Sequence, residues 1–437
     1  MSDAFSGTLN VGAQDTVTLV QPWDFDGQAH LMGSPSGAAT INGGKMSMAA
    51  GTINVESGIG SIDCEFKMNA GTLNVANGTT LRFGGLSTIE NLASLNIPGG
   101  LVAGSGVTVS AQGDTTIRQT VMDLDGVASK NTVVVGGGKK LTIYTGSLDT
   151  QDAQFNGKMD VAGTLNIDLS SAQSWVLGNG GVLNLNGASL YGSTIQGDNV
   201  QVAAGGLVKG QGLFTAGLNN VAGTVSPNAL VLGQEVTGTL TVGGVSSIYS
   251  QGVNGRLKID IAGDHTSQID HLSTNVANLG GVLDISLLNG FVPSIGDSFV
   301  FLNASSSVNG HFDSVLFPTL TNIGLGLIYG SNTVTLRAGL LGDLDGDGFV
   351  GISDLNIVLG NWNQDADAGV WIQGDPSGDG FIGIDDLNVV LGNWNTGSPP
   401  TDIQVFVPEP ASLALLTIGG LVLTQRKCRN HFKGDTK

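Results

Sequence analysis

Two stretches near the end of this 437-residue chain carry oxygen-bearing side chains at the spacing of a calcium loop. The first reads Asp343-Leu-Asp345-Gly-Asp347-Gly348-Phe349-Val-Gly351-Ile-Ser-Asp354. The second, 32 residues later, reads Asp375-Pro-Ser377-Gly-Asp379-Gly380-Phe381-Ile-Gly383-Ile-Asp385-Asp386. Side-chain oxygens at loop positions 1, 3, 5 and 12 turn inward, glycine at position 6 permits the reversal, and position 7 offers a backbone carbonyl. The candidate ligands are therefore Asp343, Asp345, Asp347, the Phe349 carbonyl and Asp354 for one calcium ion. Asp375, Ser377, Asp379, the Phe381 carbonyl and Asp386 serve a second. Position 9 is Gly351 or Gly383, so water completes each shell. Four carboxylates against three predict tighter binding by the first loop. Residues 340–402 hold eleven Asp and no Glu, Lys or Arg, so a divalent cation is the simplest answer to their repulsion, and folding of residues 340–396 is expected to need it.

Each loop leads into an apolar stripe at i, i+3, i+4, i+7: Leu355, Val358, Leu359 and Trp362, then Leu387, Val390, Leu391 and Trp394. This predicts two amphipathic helices packed through those side chains. A duplicated loop-helix unit with Asp at position 12 resembles a type I dockerin over roughly residues 340–396. That resemblance implies a cohesin-like partner. Dockerins read the partner largely through loop positions 10 and 11, often Ser-Thr, whereas Ile352-Ser353 and Ile384-Asp385 stand here. The other reading is that the module caps the end of the preceding domain.

Farther on come Pro408-Glu409-Pro410, an apolar run from Ala411 to Leu423, and a basic cluster of Arg426, Lys427 and Arg429. The order resembles a PEP-CTERM sorting signal, which implies export, processing by an exosortase and membrane attachment through this tail. The run is shorter than the roughly 20 residues of an ordinary spanning helix. By the positive-inside rule its basic end stays cytoplasmic.

Elsewhere the chemistry is sparse. There is no His-Glu-x-x-His, Gly-x-Ser-x-Gly or Cys-x-x-Cys motif. Gly136-Gly-Gly-Lys139-Lys140 lacks the upstream Gly and the hydroxyl residue of a phosphate loop and reads as a strand turn. His265 and His271 bracket Asp270 in a polar stretch and read as a solvated loop. Asp123 and Asp125, with Arg118, are the one candidate acid/base patch, but Gly126 follows at once and equally suggests an Asp-Gly turn. No catalytic residue is assigned. Trp23 and Trp175 are candidate sugar-binding aromatics.

The elements that must carry these sites are strands. Gly makes up 69 residues, charged residues only 12% and aromatics 5%, a composition that favours strands and turns over helices. A phrase recurs as Gly7-Thr-Leu-Asn-Val, Gly51-Thr-Ile-Asn-Val, Gly71-Thr-Leu-Asn-Val, Gly163-Thr-Leu-Asn-Ile, Gly181-Val-Leu-Asn-Leu and Gly238-Thr-Leu-Thr-Val. Gly51 to Gly71 spans 20 residues and Gly163 to Gly181 spans 18. Units of that length cannot bury an apolar face alone and must stack, so the fold expected is mainly β, a parallel β-solenoid (β-helix-like) body; sandwiches of antiparallel strands are the alternative. Residues 1–237 form the repetitive body and 238–337 a portion with longer strands. The latter resembles autotransporter-associated β-repeat proteins through its Gly-Gly-x-Leu strand and the turn Pro293-Ser-Ile-Gly-Asp297. The calcium module spans 338–397, a linker 398–406 and the tail 407–437.

A formal charge of −19 repels polyphosphates and disfavours nucleic acid. Cys64 and Cys428 lie in regions of unlike composition, and no disulfide framework is expected. Met1-Ser-Asp-Ala-Phe-Ser-Gly has no basic n-region or apolar h-region, so export implies a misassigned start or a truncated chain. The leading functional expectation is an exported surface or matrix protein that is structural, adhesive or carbohydrate-binding. The alternative is a polysaccharide-degrading enzyme or a subunit of such an assembly, acting on extracellular polysaccharide.

Overall fold

A computed structural model describes residues 5–76, 79–96, 108–111, 115–121, 132–135, 140–147, 158–161, 164–169, 175–178, 181–186, 194–197, 199–231, 234–244 and 247–399. The chain is mainly β, and nearly all its strand pairs are parallel. One ladder runs from Thr16–Leu19 through Ala39–Met48, Ile59–Val75 and their successors to Val282–Leu287 and Ser314–Leu316. A second runs from Trp23–Phe25 to Ser298–Asn309. Because each strand meets one from the preceding turn of chain, the result is solenoid-like and not an antiparallel sandwich.

The recurring phrase explains the stacking at the first rungs. Leu9 pairs with Ala29, Ala29 with Ile53 and Ile53 with Leu73, while Asn10 pairs with His30, then Asn54, then Asn74. Alternate residues point in opposite directions along a strand, so Ala29, Ile53 and Leu73 are buried while Thr and Asn face outward. Asn74 Nδ2 donates to Asn54 Oδ1 at 2.8 Å, one rung away. At two of these rungs the opening glycine is a conformational requirement: Gly51 has φ 82° and Gly71 φ 102°, where a side chain is strained. A Cβ on Gly51 would lie 2.4 Å from the Gly27 carbonyl. Farther along, Leu183, Val208, Val225, Leu257, Leu283 and Val315 stack in register as one buried column.

One detail differs from expectation. The 20-residue interval from Gly51 to Gly71 is one rung, but the 18-residue interval from Gly163 to Gly181 is not. Thr164–Leu169 pairs with Thr194–Gly197, whereas Val182–Asn186 pairs with Lys158–Val161 and Leu207–Phe214; these two occurrences of the phrase therefore lie on different faces. The ladders pass through residue 238 unbroken. The direction changes later, where Thr333–Leu340 pairs antiparallel with both Ser298–Asn309 and Ile323–Tyr329. The turn read at Pro293–Asp297 precedes that change, with Ser294 N–H donating to Asp297 Oδ2 at 2.7 Å. The terminal hairpin closes the stack and delivers the chain to the Asp343 loop.

Candidate metal centre

Both acidic loops end on short helices, α1 (Ile352–Gly360) and α2 (Ile384–Gly392). They repeat one construction. In the first, Asp343 Oδ1 accepts from Gly346 N–H at 2.8 Å and Oδ2 from Gly348 N–H at 2.9 Å. In the second, Asp375 Oδ1 accepts from Gly378 N–H at 2.7 Å and Oδ2 from Gly380 N–H at 2.9 Å. Gly346, Gly348, Gly378 and Gly380 all have positive φ, the condition for wrapping backbone around a carboxylate. At the far end, Asp354 Oδ2 accepts from Gly351 N–H and Asp386 Oδ2 from Gly383 N–H, both at 2.8 Å. Each carboxylate thus caps its helix N-terminus and faces back into its loop. Val350 of the first loop pairs with Asn395 and Thr396 beyond α2, and Ile382 of the second with Asn363 and Gln364 beyond α1. That crossed pairing gives the two halves a common small core of Leu344, Val350, Val358, Ile382 and Val390.

Asp343, Asp345 and Asp354 bring ligand oxygens within 4.8 Å of one another, and so do Asp375, Asp379 and Asp386. These two triads could hold a metal ion. Asp347 stands outside the first triad, its Oδ1 accepting from Phe349 N–H at 2.8 Å. Ser377 is turned to Asp375, with its Oγ 3.0 Å from Oδ1. Asp343, Asp354, Asp375 and Asp386 are buried. Burial pushes the Asp343 carboxyl up, backbone N–H groups oppose this, and Asp354 and Asp345 push it further up. Asp386 is likewise raised by burial, with Asp375 adding to it. Among the described residues no Lys, Arg or His pairs with a triad member. Buried, mutually repelling carboxylates without a side-chain cation fit a divalent metal.

The helices pack differently from the expected stripe. Val358 and Val390 are buried and Leu355 and Leu387 half-buried, but Leu359, Trp362, Leu391 and Trp394 are exposed. The cause is angular: Asp354 must face its loop, and Leu359 lies five residues on, about 140° around the helix. Trp362 falls past the helix end. With Ile352 and Ile384 these residues form a repeated apolar strip, each between 41% and 62% exposed.

Sequence reasoning missed how the module is seated. The module docks on the end of the β body: Leu327 N–H of the terminal hairpin donates to the carbonyl of Gly369, between the halves, at 2.8 Å, and Val315 N–H of Ser314–Leu316 to the carbonyl of Gly378, in the second loop, at 2.7 Å. Ala368 belongs to the core of the β body, and His311 Nδ1 lies 2.9 Å from Asp367 Oδ1. The available signal was Gly324, Gly326 and Gly339, which leave the hairpin bare for one large ring.

The other candidates do not form a site. Asp270 is buried, accepting from Gly238 N–H at 2.8 Å and Asp260 N–H at 3.0 Å. His271 Nε2 meets Asn303 Nδ2 at 2.8 Å, and His265 is exposed at the start of a short turn. Trp175 is buried and cannot offer its ring to a sugar, while Trp23 packs against Phe5 and Phe25. The Cys64 thiol is buried and pushed up to about 11 by burial, which keeps it unreactive. Asp123, Asp125, Gly136–Lys139 and the tail residues Pro408, Glu409, Pro410, Arg426, Lys427 and Arg429 lie outside the described residues. Among the described residues no helix is long and apolar enough to cross a membrane.

No model of a known protein family matches the chain, and no curated protein matches its sequence.

Proposed function

We propose that the protein is exported and surface-associated, that its two loops bind calcium, and that its β body works by structure and binding. The observation that carries this reading is the duplicated acidic triad built on glycine-wrapped loops. Asp343, Asp345, Asp347, Asp354 and the Phe349 carbonyl would hold one ion. Asp375, Ser377, Asp379, Asp386 and the Phe381 carbonyl would hold the other. An all-oxygen set on glycine-rich loops suits calcium, which accepts irregular shells, better than magnesium, which demands near-octahedral ones. The ion would neutralise the carboxylates and fix each loop against its helix.

Seating of the module on the terminal hairpin supports a capping role. The outward strip of Ile352, Leu359, Trp362, Ile384, Leu391 and Trp394 leaves a surface that a cohesin-like domain could take. The Pro408-Glu409-Pro410 tail, with its apolar run and basic end, supports export, exosortase processing and membrane attachment. The outward-facing Thr and Asn of the first rungs support a matrix or carbohydrate-facing role for the body.

Export is tested by expressing the full gene in a host that carries an exosortase, shaving intact cells with protease, and weighing the mature protein. The expected result is a surface-cleavable chain lacking Arg426 to Lys437. An intracellular chain of full length would contradict it.

A further inference from the structure

The two loops look alike by themselves but sit in different surroundings. A Cβ added to Gly346 or Gly348 in the first would meet nothing within 4 Å. In the second, a Cβ on Gly378 would lie 2.9 Å from both the Phe317 ring and the Val315 carbonyl, and one on Gly380 2.7 Å from the Asp313 carbonyl. The first loop is open to solvent; the second is pressed against the end of the β stack.

The second loop is also wired to the stack through hydrogen bonds. Asp375 Oδ2 accepts from Gly369 N–H at 3.0 Å, and the carbonyl of the same glycine accepts from Leu327 N–H at 2.8 Å. A single residue therefore separates a triad carboxylate from the terminal hairpin. Gly378, whose N–H is held by Asp375 Oδ1 at 2.7 Å, accepts from Val315 N–H through its carbonyl at 2.7 Å. Asp343 occupies the matching position in the first loop, but its carboxylate accepts from within that loop, from Gly346 and Gly348.

We infer that the two metal sites have separate jobs: the second is a latch that fixes the module to the end of the β body, and the first acts within the module, away from that junction. This rests on the calcium reading above. An ion at Asp375, Asp379 and Asp386 fixes the Asp375 carboxylate, and through it Gly369 and Gly378, in the geometry that receives the Leu327 and Val315 amides. Coupling of this kind is reciprocal. Docking therefore tightens the second site, against the ranking that carboxylate number alone predicts.

The test uses the full-length, calcium-loaded protein. Hydrogen exchange is followed in peptides that contain Val315 and Leu327. Asp386→Ala should speed their exchange roughly tenfold, whereas Asp354→Ala should leave it unchanged. Because Asp386→Ala also removes a helix cap, a body-side variant with all ligands intact supplies the second arm. Phe317→Ala should weaken one of the two calcium affinities about fivefold, and it should be the one that Asp386→Ala abolishes. Equal deprotection by the two Asp variants, or unchanged affinities in Phe317→Ala, would overturn the latch. A chain that binds no calcium would instead sink the reading on which the latch rests.

Discussion

The indole of Trp371 lies against bare backbone at Gly326, where an added Cβ would sit 3.0 Å from Nε1. Gly324 and Gly339 complete the seat, their added Cβ atoms falling 2.6 and 2.8 Å from the same ring. This ring belongs to the module and the glycines to the terminal hairpin, so one side chain spans the junction. Its contacts bury apolar area from both partners.

Trp371→Ala should therefore destabilise the docked module by about 2 kcal/mol, less than a fully buried tryptophan because the ring is only partly covered. Gly324→Val should have a similar effect from the other side by displacing the ring. Thermal melts in saturating calcium would check this, with the module transition falling in both variants. Unchanged melting in both would contradict it.

Along one rung, Leu73 faces the core and Thr72 faces outward. Leu73→Ala should cost about 2–5 kcal/mol, and Thr72→Ala within about 0.5 kcal/mol. Urea denaturation of the two variants would separate them. Similar costs would mean that the alternation at this rung is wrong.

His271 gives the body a pH dependence. Burial lowers its pKa, so the folded state prefers neutral imidazole; its Nε2 accepts from the Asn303 amide. In the unfolded chain the ring takes up a proton below about pH 6.5. Its contribution is thus present above that value and lost as pH falls below it. Between pH 7.5 and 5.5 the parent should lose more stability than His271→Gln, by less than the roughly 1.4 kcal/mol per pH unit that one proton can supply. Urea midpoints in saturating calcium would show the difference, and identical losses would contradict it.

The body is expected to leave plant and algal polysaccharides intact. Assays for new reducing ends and unsaturated uronates should stay at background. Turnover abolished by Asp123→Ala or Asp125→Ala would replace this expectation with a catalytic role.

Much of this was legible because short-range chemistry fixes it. Alternation along Gly-Thr-Leu-Asn-Val gives strands, and glycine spacing gives the loops. The rung Gln28–Leu31 was hidden because its outward residues are Gln28 and His30 in place of Thr and Asn, although its inward pair still stacks. Leu359 and Trp362 were placed inward because helical spacing alone ignores that Asp354 must face its loop. The docking of Gly369 and Trp371 joins residues more than 40 positions from Gly324 and Leu327, and no local pattern announces such a contact.

Calorimetric titration of the full chain with calcium tests the central claim most directly. Two ions should bind per chain, Asp354→Ala and Asp386→Ala should each remove one, and the double variant should bind none. Absence of binding to the parent, or two ions still bound by the double variant, would contradict the account.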